Sequence, residues 1–530
     1  MRLRPRTRGG ALWRFFLAAV LVITATAGTT AVAGLLQVKN LVDALNVGVV
    51  LPHADVTLPP PGAPQTILII GSDRRAGAPA NAANTDTMLL VRLNASSSTI
   101  NLMSLPRDLQ VQVPGFGTAK LNSAYQDGGP NLLIKTIHEN VFPNLRVNHI
   151  VDVNFGAFSN LVNAIGCVYT DVDHRYYNNT AVTDYSSIDI QPGYQKLCGT
   201  SQVSGALAFV RFRHTDSDLV RNARQQDFIR WAKDQYGLTN LINNRDRLLR
   251  IFGRYAVTDH SLHTTAGLIN LFSLVASSAG HTIKQIKFPA VFAPCGTTIS
   301  AATGAQIQTP CYVTAQASAE AAKYRAFMRP TTSAAAAART AAPTRPSQPG
   351  PGASKIRPTA GLIADVADGR SQAAALHGVR MPVYYPKMIV SGPVSPYCLS
   401  ITGNCDDPQE SQSYYAASYP RAYTIHDQQG RRQAAYYMTL ELNPMLGQYY
   451  GVQGTTWKHP PILAHPSGFR TVDGKQLELF AGGGKLNDVA WRTPQGVYWI
   501  SNTLTNDIGN QQMVAIAASL TRATPSPERP

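Results

Sequence analysis

TILIIGSDRRAGAPANAANTDTMLLVRLNASSSTINLMSLPRD, residues 66–108, decides the fold. Thr66–Ile70 is a largely apolar run that stops at Gly71, the pattern of a buried strand ending in a turn. Met88–Leu93 and Thr99–Leu105 are β-type runs flanking Asn94-Ala95-Ser96-Ser97-Ser98, which predicts a hairpin. Downstream, His149–Val153 reads as another strand. Phe155–Ile165 carries apolar residues at helical spacing (Phe155, Phe158, Leu161, Val162, Ile165), with Gly166 as its C-cap. Asp218–Gln235 is predicted as a helix ending before Gly237. Strands interleaved with helices predict a layered α/β domain over about residues 65–255. A helical, cysteine-bearing extension is expected over 256–329.

Outward from this core the composition changes twice. Residues 330–360 are rich in Ala, Thr, Pro, Ser and Gly, including Ala334–Ala338, and read as a linker. Residues 361–522 are rich in Tyr, Trp and short β-type runs and predict a smaller, separate α+β domain, followed by a tail at 523–530. In it, Tyr423–His426 and Ala434–Leu442 form a hairpin around Gly430, and Gln511–Leu520 a closing helix. On the N-terminal side, Arg2, Arg4, Arg6, Arg8 and Arg14 precede an uncharged stretch, Phe15–Leu36. Its length is near the ~20 residues that cross a bilayer as a helix. The arginines place residues 1–14 in the cytoplasm, 15–36 as a transmembrane anchor, and 37–64 as a stalk. The small-x-small site Ala31-Val32-Ala33 fits a cleaved signal peptide instead, but the apolar run exceeds the usual signal core. Either way the main domains are expected outside the cytoplasm, and with the anchor retained they sit at the cell membrane.

The bulk numbers agree. A chain of 530 residues, 44% hydrophobic, can bury a sizeable core in two or more domains. A net charge of +16 points to anionic partners, and an extracytoplasmic location argues against nucleic acid. Six cysteines (Cys167, Cys198, Cys295, Cys311, Cys398, Cys405) suit disulfides in an oxidising compartment. Adjacent pairing closes three modest loops, although the sequence alone allows about 15 connectivities. No GxSxG elbow, GxxxxGK[ST] loop or Cys/His zinc cluster occurs.

Candidate chemistry gathers at strand ends. Asp73 follows the turn at Gly71, and Asp86 sits just before Met88. Carboxylates at two strand ends can converge outside a sheet and hold Mg²⁺ (or Mn²⁺) through oxygen. Asp beside Gly or Asn is also ordinary turn chemistry. Arg107 lies just past a strand, and Lys120 follows the Gly-rich loop Pro114-Gly115-Phe116-Gly117. Phe209-Val210-Arg211-Phe212-Arg213 alternates apolar and basic, which on an extended backbone points Arg211 and Arg213 to one side. Asp218, Arg221 and Gln225 share one helix face, with Arg224 beside them. Guanidinium forks match phosphate oxygens in pairs. Phe158, Leu161 and Val162 can line a groove for a lipid tail, although such spacing more commonly marks an ordinary amphipathic core helix.

ILIIGSDRR (67–75), NTDTM (84–88), LMSLPRD (102–108), KLNSAYQDGG (120–129), DVNFGAFSNLVNAIG (152–166) and ALAFVRFRHTDSDLVRNARQQ (206–226) together resemble the LytR-CpsA-Psr (LCP) family of bacterial cell-wall phosphotransferases. The resemblance covers about 65–240 and rests on separated motifs in the family's order. It implies a three-layer α/β/α domain with a mixed central sheet, and an apolar pocket for a polyprenyl chain with an arginine-lined mouth. By that resemblance Asp73 and Asp86 hold the metal. Arg75, Arg107, Lys120, Arg211, Arg213, Arg221 and Gln225 contact the phosphates. Asp108 and Asp218 orient the arginines or assist removal of the acceptor proton. The implied reaction moves a glycopolymer from a polyprenyl-pyrophosphate carrier to a peptidoglycan hydroxyl. A polyprenyl-pyrophosphate hydrolase, or a non-catalytic envelope binding protein, is the alternative. Arg74 departs from the small polar residue common in the family. The family's commonest C-terminal module is absent, while Ala490–Leu520 resembles small lipoprotein-carrier-like envelope domains.

Overall fold

The computed structural model describes residues 49–51, 56–72, 85–178, 188–200, 203–212, 217–243, 256–278, 280–293, 296–299, 306–309, 311–331, 359–376, 378–390, 420–443 and 447–523. The segments 1–14 and 15–36, most of the 330–360 linker, and residues 524–530 lie outside them, as do Asp73, Arg74, Arg75 and Arg213. No helix of the described residues is long and apolar enough to cross a membrane.

The first unit is built on a mixed seven-stranded sheet. Its strands are β1 (Val49–Leu51), β2 (Gln65–Ser72), β3 (Thr85–Leu93), β4 (Thr99–Leu105), β5 (His149–Asn154), β6 (Ala256–Asp259) and β7 (Thr282–Gln285). They run in the order β1-β6-β5-β2-β3-β4-β7. The β2/β3 and β3/β4 pairs are antiparallel, as the 94–98 turn predicts, while β5 joins β2 in parallel. Both faces of the sheet are covered, so its central strands are apolar on both sides. Leu68, Ile70, Met88, Leu90 and Met103 pack under helix α1 (Ser123–Asn140), which brings Tyr125, Leu133, Ile134 and Ile137. The opposite side chains, Ile67, Ile69, Leu89 and Val151, face helices α2 (Phe155–Ile165), α4 (Asp218–Asn243) and α5 (Thr265–Ser278); α3 (Ala206–Arg211) lies beside α2 and α4. Three layers, α/β/α, result.

Several boundaries differ from the sequence expectation. Val49–Leu51 falls in the expected stalk, and β6 and β7 fall in the expected extension, yet all three are strands of the central sheet. Strands of three or four residues carry no readable period. Helix α4 runs through Gly237 to Asn243, because an interior glycine costs only about 1 kcal/mol and does not by itself end a helix. Ala206–Arg211 is helical after Gly205, so Arg211 does not lie on the extended backbone expected there, and Arg213 falls outside the described residues.

The second unit is an antiparallel seven-stranded sheet over Arg421–Ser501, backed by helices α6 (Val366–Ala374) and α7 (Asn510–Ala518). Its first strands are the expected hairpin, Arg421–His426 with Arg432–Asn443, turning at Gly430 with φ +78°. It docks on the first unit through the hairpin of Val168–Val172 and Gly193–Leu197. Tyr169 and Tyr194 pack with Trp457 and Trp499, and Tyr423 OH accepts from the Tyr194 amide at 2.8 Å. Gly193 has φ +114°, and a Cβ there would lie 2.6 Å from that hydroxyl, so the contact requires glycine. The sulfurs of Cys167 and Cys198 stand 2.10 Å apart across the end of this hairpin. Cys295, Cys398 and Cys405 lie outside the described residues.

Acids are buried where the units meet. Asp171 accepts from Gln453 at 2.7 Å and from Ser501. Burial pushes Asp171 up to about 6 and Asp488, near Arg230, Asp171 and Asp227, up to about 7. A carboxyl whose folded pKa is raised holds its proton more tightly folded than unfolded, so its contribution to stability is lost as pH rises through that pKa. Each kcal/mol moves Tm by about 2–4 °C in a folding unit of 150–250 residues. Asp488→Asn is therefore expected to raise Tm at pH 8 by about 2–8 °C over the wild type and to change it little at pH 5, in a thermal melt followed by circular dichroism.

Candidate functional site

Strand β2 ends at Ser72, and the backbone there is fixed from below. Asp152 on β5 is fully buried and accepts from Ser72 Oγ at 2.6 Å and from Tyr125 OH at 2.9 Å. This ties β2, β5 and α1 together immediately before Asp73. Next along β5, Asn154 caps α2 by accepting from the Ala157 amide at 2.9 Å. Neither Asp152 nor Asn154 was singled out in the sequence; an acid interrupting the apolar run His149–Val153 was the available signal.

Past the end of β4, Arg107 forms the centre of a charge lattice. Its Nη1 donates to Asp86 Oδ1 at 2.5 Å, and its Nε lies 3.5 Å from Asp218 Oδ2 and 3.6 Å from Asp108 Oδ2. Arg221, one helical turn after Asp218, reaches Asp218 Oδ1 at 3.1 Å and donates to the Asp86 carbonyl at 2.7 Å. Lys120, at the end of the Gln110–Val113/Gly117–Lys120 hairpin, reaches Asp108 Oδ1 at 2.7 Å. The structure thus brings Asp86, Arg107, Asp108, Lys120, Asp218 and Arg221 to one place from four separate sequence motifs.

The two neighbouring acids are driven apart in acidity. Burial raises Asp218 to about 6, opposed by Arg221 and reinforced by the proximity of Asp108. Burial also acts on Asp108, but hydrogen bonds from Asp218 and Lys120 and the charge of Arg107 outweigh it and hold its carboxyl below the usual range. Carboxyl groups pushed apart in this way can divide the roles of proton holder and fixed anion.

An apolar pocket of about 550 Å³ opens beside the lattice. Ile67, Ile69, Leu89, Val151, Phe158 and Leu161 line it, with Phe228, Leu271 and Val275 on facing helices. Its polar lining consists mainly of Asp86, Arg211, Arg221 and Gln225. Arg211 stacks over the Phe155 ring at 3.9 Å, and Gln225 donates to the Val210 carbonyl at 3.1 Å. Gly71 lines the wall because β3 passes close: a Cβ there would come 3.0 Å from Thr87 Cβ.

Two expected substrate contacts are placed elsewhere. Val162 is on the buried side of α2, packed with Val168 and Phe209, and does not line the pocket. Arg224 is fully buried: it donates to the carbonyls of Phe209 and Phe212 at 3.1 and 2.9 Å and sits over Tyr176 at 4.4 Å. Its neighbour position on α4 points it under the α3 segment, where it props up the backbone that carries Arg211. Asp73, Arg75 and Arg213 lie outside the described residues. Among those described, no three His, Cys, Asp or Glu side chains are grouped to hold a metal.

A mixed α/β sheet here carries an apolar pocket directly beside a cluster of guanidinium groups, so apolar and cationic surfaces adjoin at one site. The chain belongs to the LytR-CpsA-Psr family, whose model matches residues 43–322. It is 29% identical over 215 residues to the polyisoprenyl-teichoic acid–peptidoglycan teichoic acid transferase TagT of Bacillus subtilis, a match covering 40% of this chain and 65% of that protein. It is 33% identical over 174 residues to the probable cell wall biosynthesis protein LcpB of Corynebacterium glutamicum, covering 30% of this chain and 39% of that one. The chain spans less than two thirds of the length of either. A solved structure of TagT with bound octaprenyl pyrophosphate lipid aligns over 53% of this chain and 97% of that one, at 21% identity and a TM-score of 0.35.

Arg107 separates three carboxylates, two of them largely buried. Removing it leaves Asp218 and Asp108 to repel each other in low dielectric, a penalty of about 1–3 kcal/mol that protonation of Asp218 relieves. Arg107→Ala should therefore lower Tm more at pH 8 than at pH 5. Equal losses at both pH values would show that the guanidinium does not compensate these acids.

Proposed function

We propose that this protein transfers a glycopolymer from a polyprenyl-pyrophosphate carrier to a hydroxyl of peptidoglycan, forming a phosphodiester and releasing polyprenyl phosphate. The observation that carries this reading is the junction of the apolar pocket with the Arg107–Arg221 lattice, which suits a lipid tail and a diphosphate at the same time. The chemistry of the named relatives supports it. Each methylene buried in the pocket contributes about 0.8 kcal/mol, which favours a long chain.

In this reading Arg107, Arg211, Arg221 and Lys120 bind the diphosphate, with Arg107 exchanging Asp86 for a phosphate oxygen. Gln225 steadies the mouth, and Arg75 and Arg213 belong to the same set. The acceptor hydroxyl attacks the sugar-proximal phosphorus. The bond from that phosphorus to the bridging oxygen breaks, and polyprenyl phosphate departs with the electron pair. The arginines neutralise the charge that develops on the leaving oxygen. Asp218, held near Arg107 with a raised pKa, takes the hydroxyl proton, while Asp108 stays ionised and fixes Lys120. Asp86 offers carboxylate oxygen at the pocket mouth, a donor type that fits Mg²⁺ or Mn²⁺. Together with Asp73 it would hold such an ion, which would supply further charge neutralisation at the phosphates. Residues 15–36 anchor the protein in the cytoplasmic membrane, with both units on the extracytoplasmic side, where the carrier and peptidoglycan meet.

The test supplies a polyprenyl-pyrophosphate-linked glycan with and without soluble peptidoglycan fragments and identifies the products by mass spectrometry. A phosphodiester-linked adduct that forms only with both substrates is expected. Equal release of polyprenyl phosphate without acceptor means hydrolysis and overturns transfer. The rate should rise as pH increases through about 6, since a base must lose its proton to act. Asp218→Asn should remove that limb and lower kcat by about 10²-fold or more.

A further inference from the structure

Helix α4 lines two different spaces. Arg221 and Gln225 face the apolar pocket, whereas Asn222 and Gln226, one position further on, line a separate cleft of about 420 Å³. Both amide side chains are about 95% buried, at 5% exposure each. Gln226 donates to Ser104 Oγ at 2.8 Å, which fixes the floor of the cleft to strand β4, three residues before Arg107.

The opposite wall comes from the second unit. Lys485, the Gly482-Gly483 turn and Leu504–Asp507 close the cleft against Lys284, Lys287 and Lys323. The approach is tight. Gly483 has φ +61°, and a Cβ on it would sit 3.1 Å from Lys284 Cγ. The cleft therefore exists only because the two units dock, and one of its lysines, Lys485, lies in the second unit, well beyond the segment 43–322 that the family model matches.

Its charge is one-sided. Among the lining residues four lysines face a single carboxylate, Asp507, which Lys287 meets at 3.5 Å and to which Gln448 donates at 2.5 Å. Gathering ammonium groups in a concave space raises the local potential and attracts anions. Ammonium groups act as point charges for carboxylate or phosphate oxygens without demanding one planar geometry, which suits a flexible polymer more than a rigid ligand.

We propose that this cleft between the units binds an anionic glycan segment, holding its carboxylates or phosphates with Lys284, Lys323 and Lys485. The inference rests on the reading of the arginine site as a site of glycopolymer transfer, and gives the polymer a second hold. Leu219 lines the cleft while Asp218, its neighbour, contacts Arg107, so one strand of polymer can engage both. The chemistry has two sources: stem-peptide carboxylates of a peptidoglycan acceptor, or phosphodiesters of a donor polymer.

The experiment is isothermal titration of the detergent-solubilised full chain with three probes. These are uncross-linked peptidoglycan strands, which carry carboxylates; poly(glycerol phosphate), which carries phosphodiesters; and neutral chito-oligosaccharide. One anionic probe is expected to bind, more weakly as salt rises, and the neutral probe to bind at least about tenfold more weakly. Which anionic probe binds distinguishes acceptor from donor. Lys323→Gln/Lys485→Gln, checked for an unchanged melting profile, should weaken that binding at least about tenfold. Arg211→Ala, at the pocket mouth, should weaken it far less than the lysine double variant does. Lys323→Gln alone gives an intermediate loss and serves if the double variant melts early. Probe binding lost in Arg211→Ala but kept in the lysine variants would overturn the cleft and leave the arginine site standing. No preference for either anionic probe over the neutral one would overturn it too. Lysine-dependent binding in a protein that forms no phosphodiester adduct would uphold the cleft and remove the transfer reading.

Discussion

The site depends on a lattice of opposite charges placed where a hydrophobic pocket opens. Arg107 and Arg221 are held among Asp86, Asp108 and Asp218 with little water to screen them. Guanidinium groups beside an apolar wall need counter-charge, and here the protein supplies it with its own carboxylates. Those carboxylates also aim the arginines, so the cations are in position before an anion arrives. Such pre-arranged charge stabilises what develops during reaction without reorganisation at that moment. Asp86 is the more open of the two outer partners: its side chain is 26% exposed, while that of Asp218 is 3% exposed.

The rest of the first unit holds this lattice to the pocket. Strand β2 contributes Ile67 and Ile69 to the cavity and Leu68 and Ile70 to the core beneath α1, so alternation along one strand serves both. Asp152 locks the end of that strand to β5 and α1. Buried Arg224 supports the segment that presents Arg211 over Phe155. The second unit adds one wall of the lysine cleft, and its docking rests on aromatic packing around Tyr169 and Tyr194 and on the hydrogen bonds that Asp171 accepts from Gln453 and Ser501.

Much of this was legible in the sequence because strong local patterns carry it. The apolar run before Gly71 and the hairpin across 94–98 fix the sheet, and the i, i+3, i+7 spacing of Asp218, Arg221 and Gln225 fixes one functional face. Local pattern misled at Phe209–Arg211, where apolar and basic residues alternate as on a strand but a helix runs from Ala206 to Arg211 after Gly205. Arg224 was indistinguishable from its neighbours, because only the fold decides which arginine of a basic helix turns inward. Strands β1, β6 and β7 were too short to show a period. The lysine cleft left no sequence signal at all, since its walls come from positions as distant as Ser104, Lys284 and Lys485 and meet only through packing.

The central claim is that lipid and diphosphate occupy adjoining parts of one site. It is tested most directly by a crystal structure of this protein grown with a polyprenyl pyrophosphate. The account predicts the isoprenoid chain between Ile69, Leu161 and Phe228, with the diphosphate on Arg107, Arg211 and Arg221 and Asp86 released from Arg107. A lipid bound elsewhere on the surface, or a chain in the pocket with its diphosphate turned away from these arginines, would contradict it.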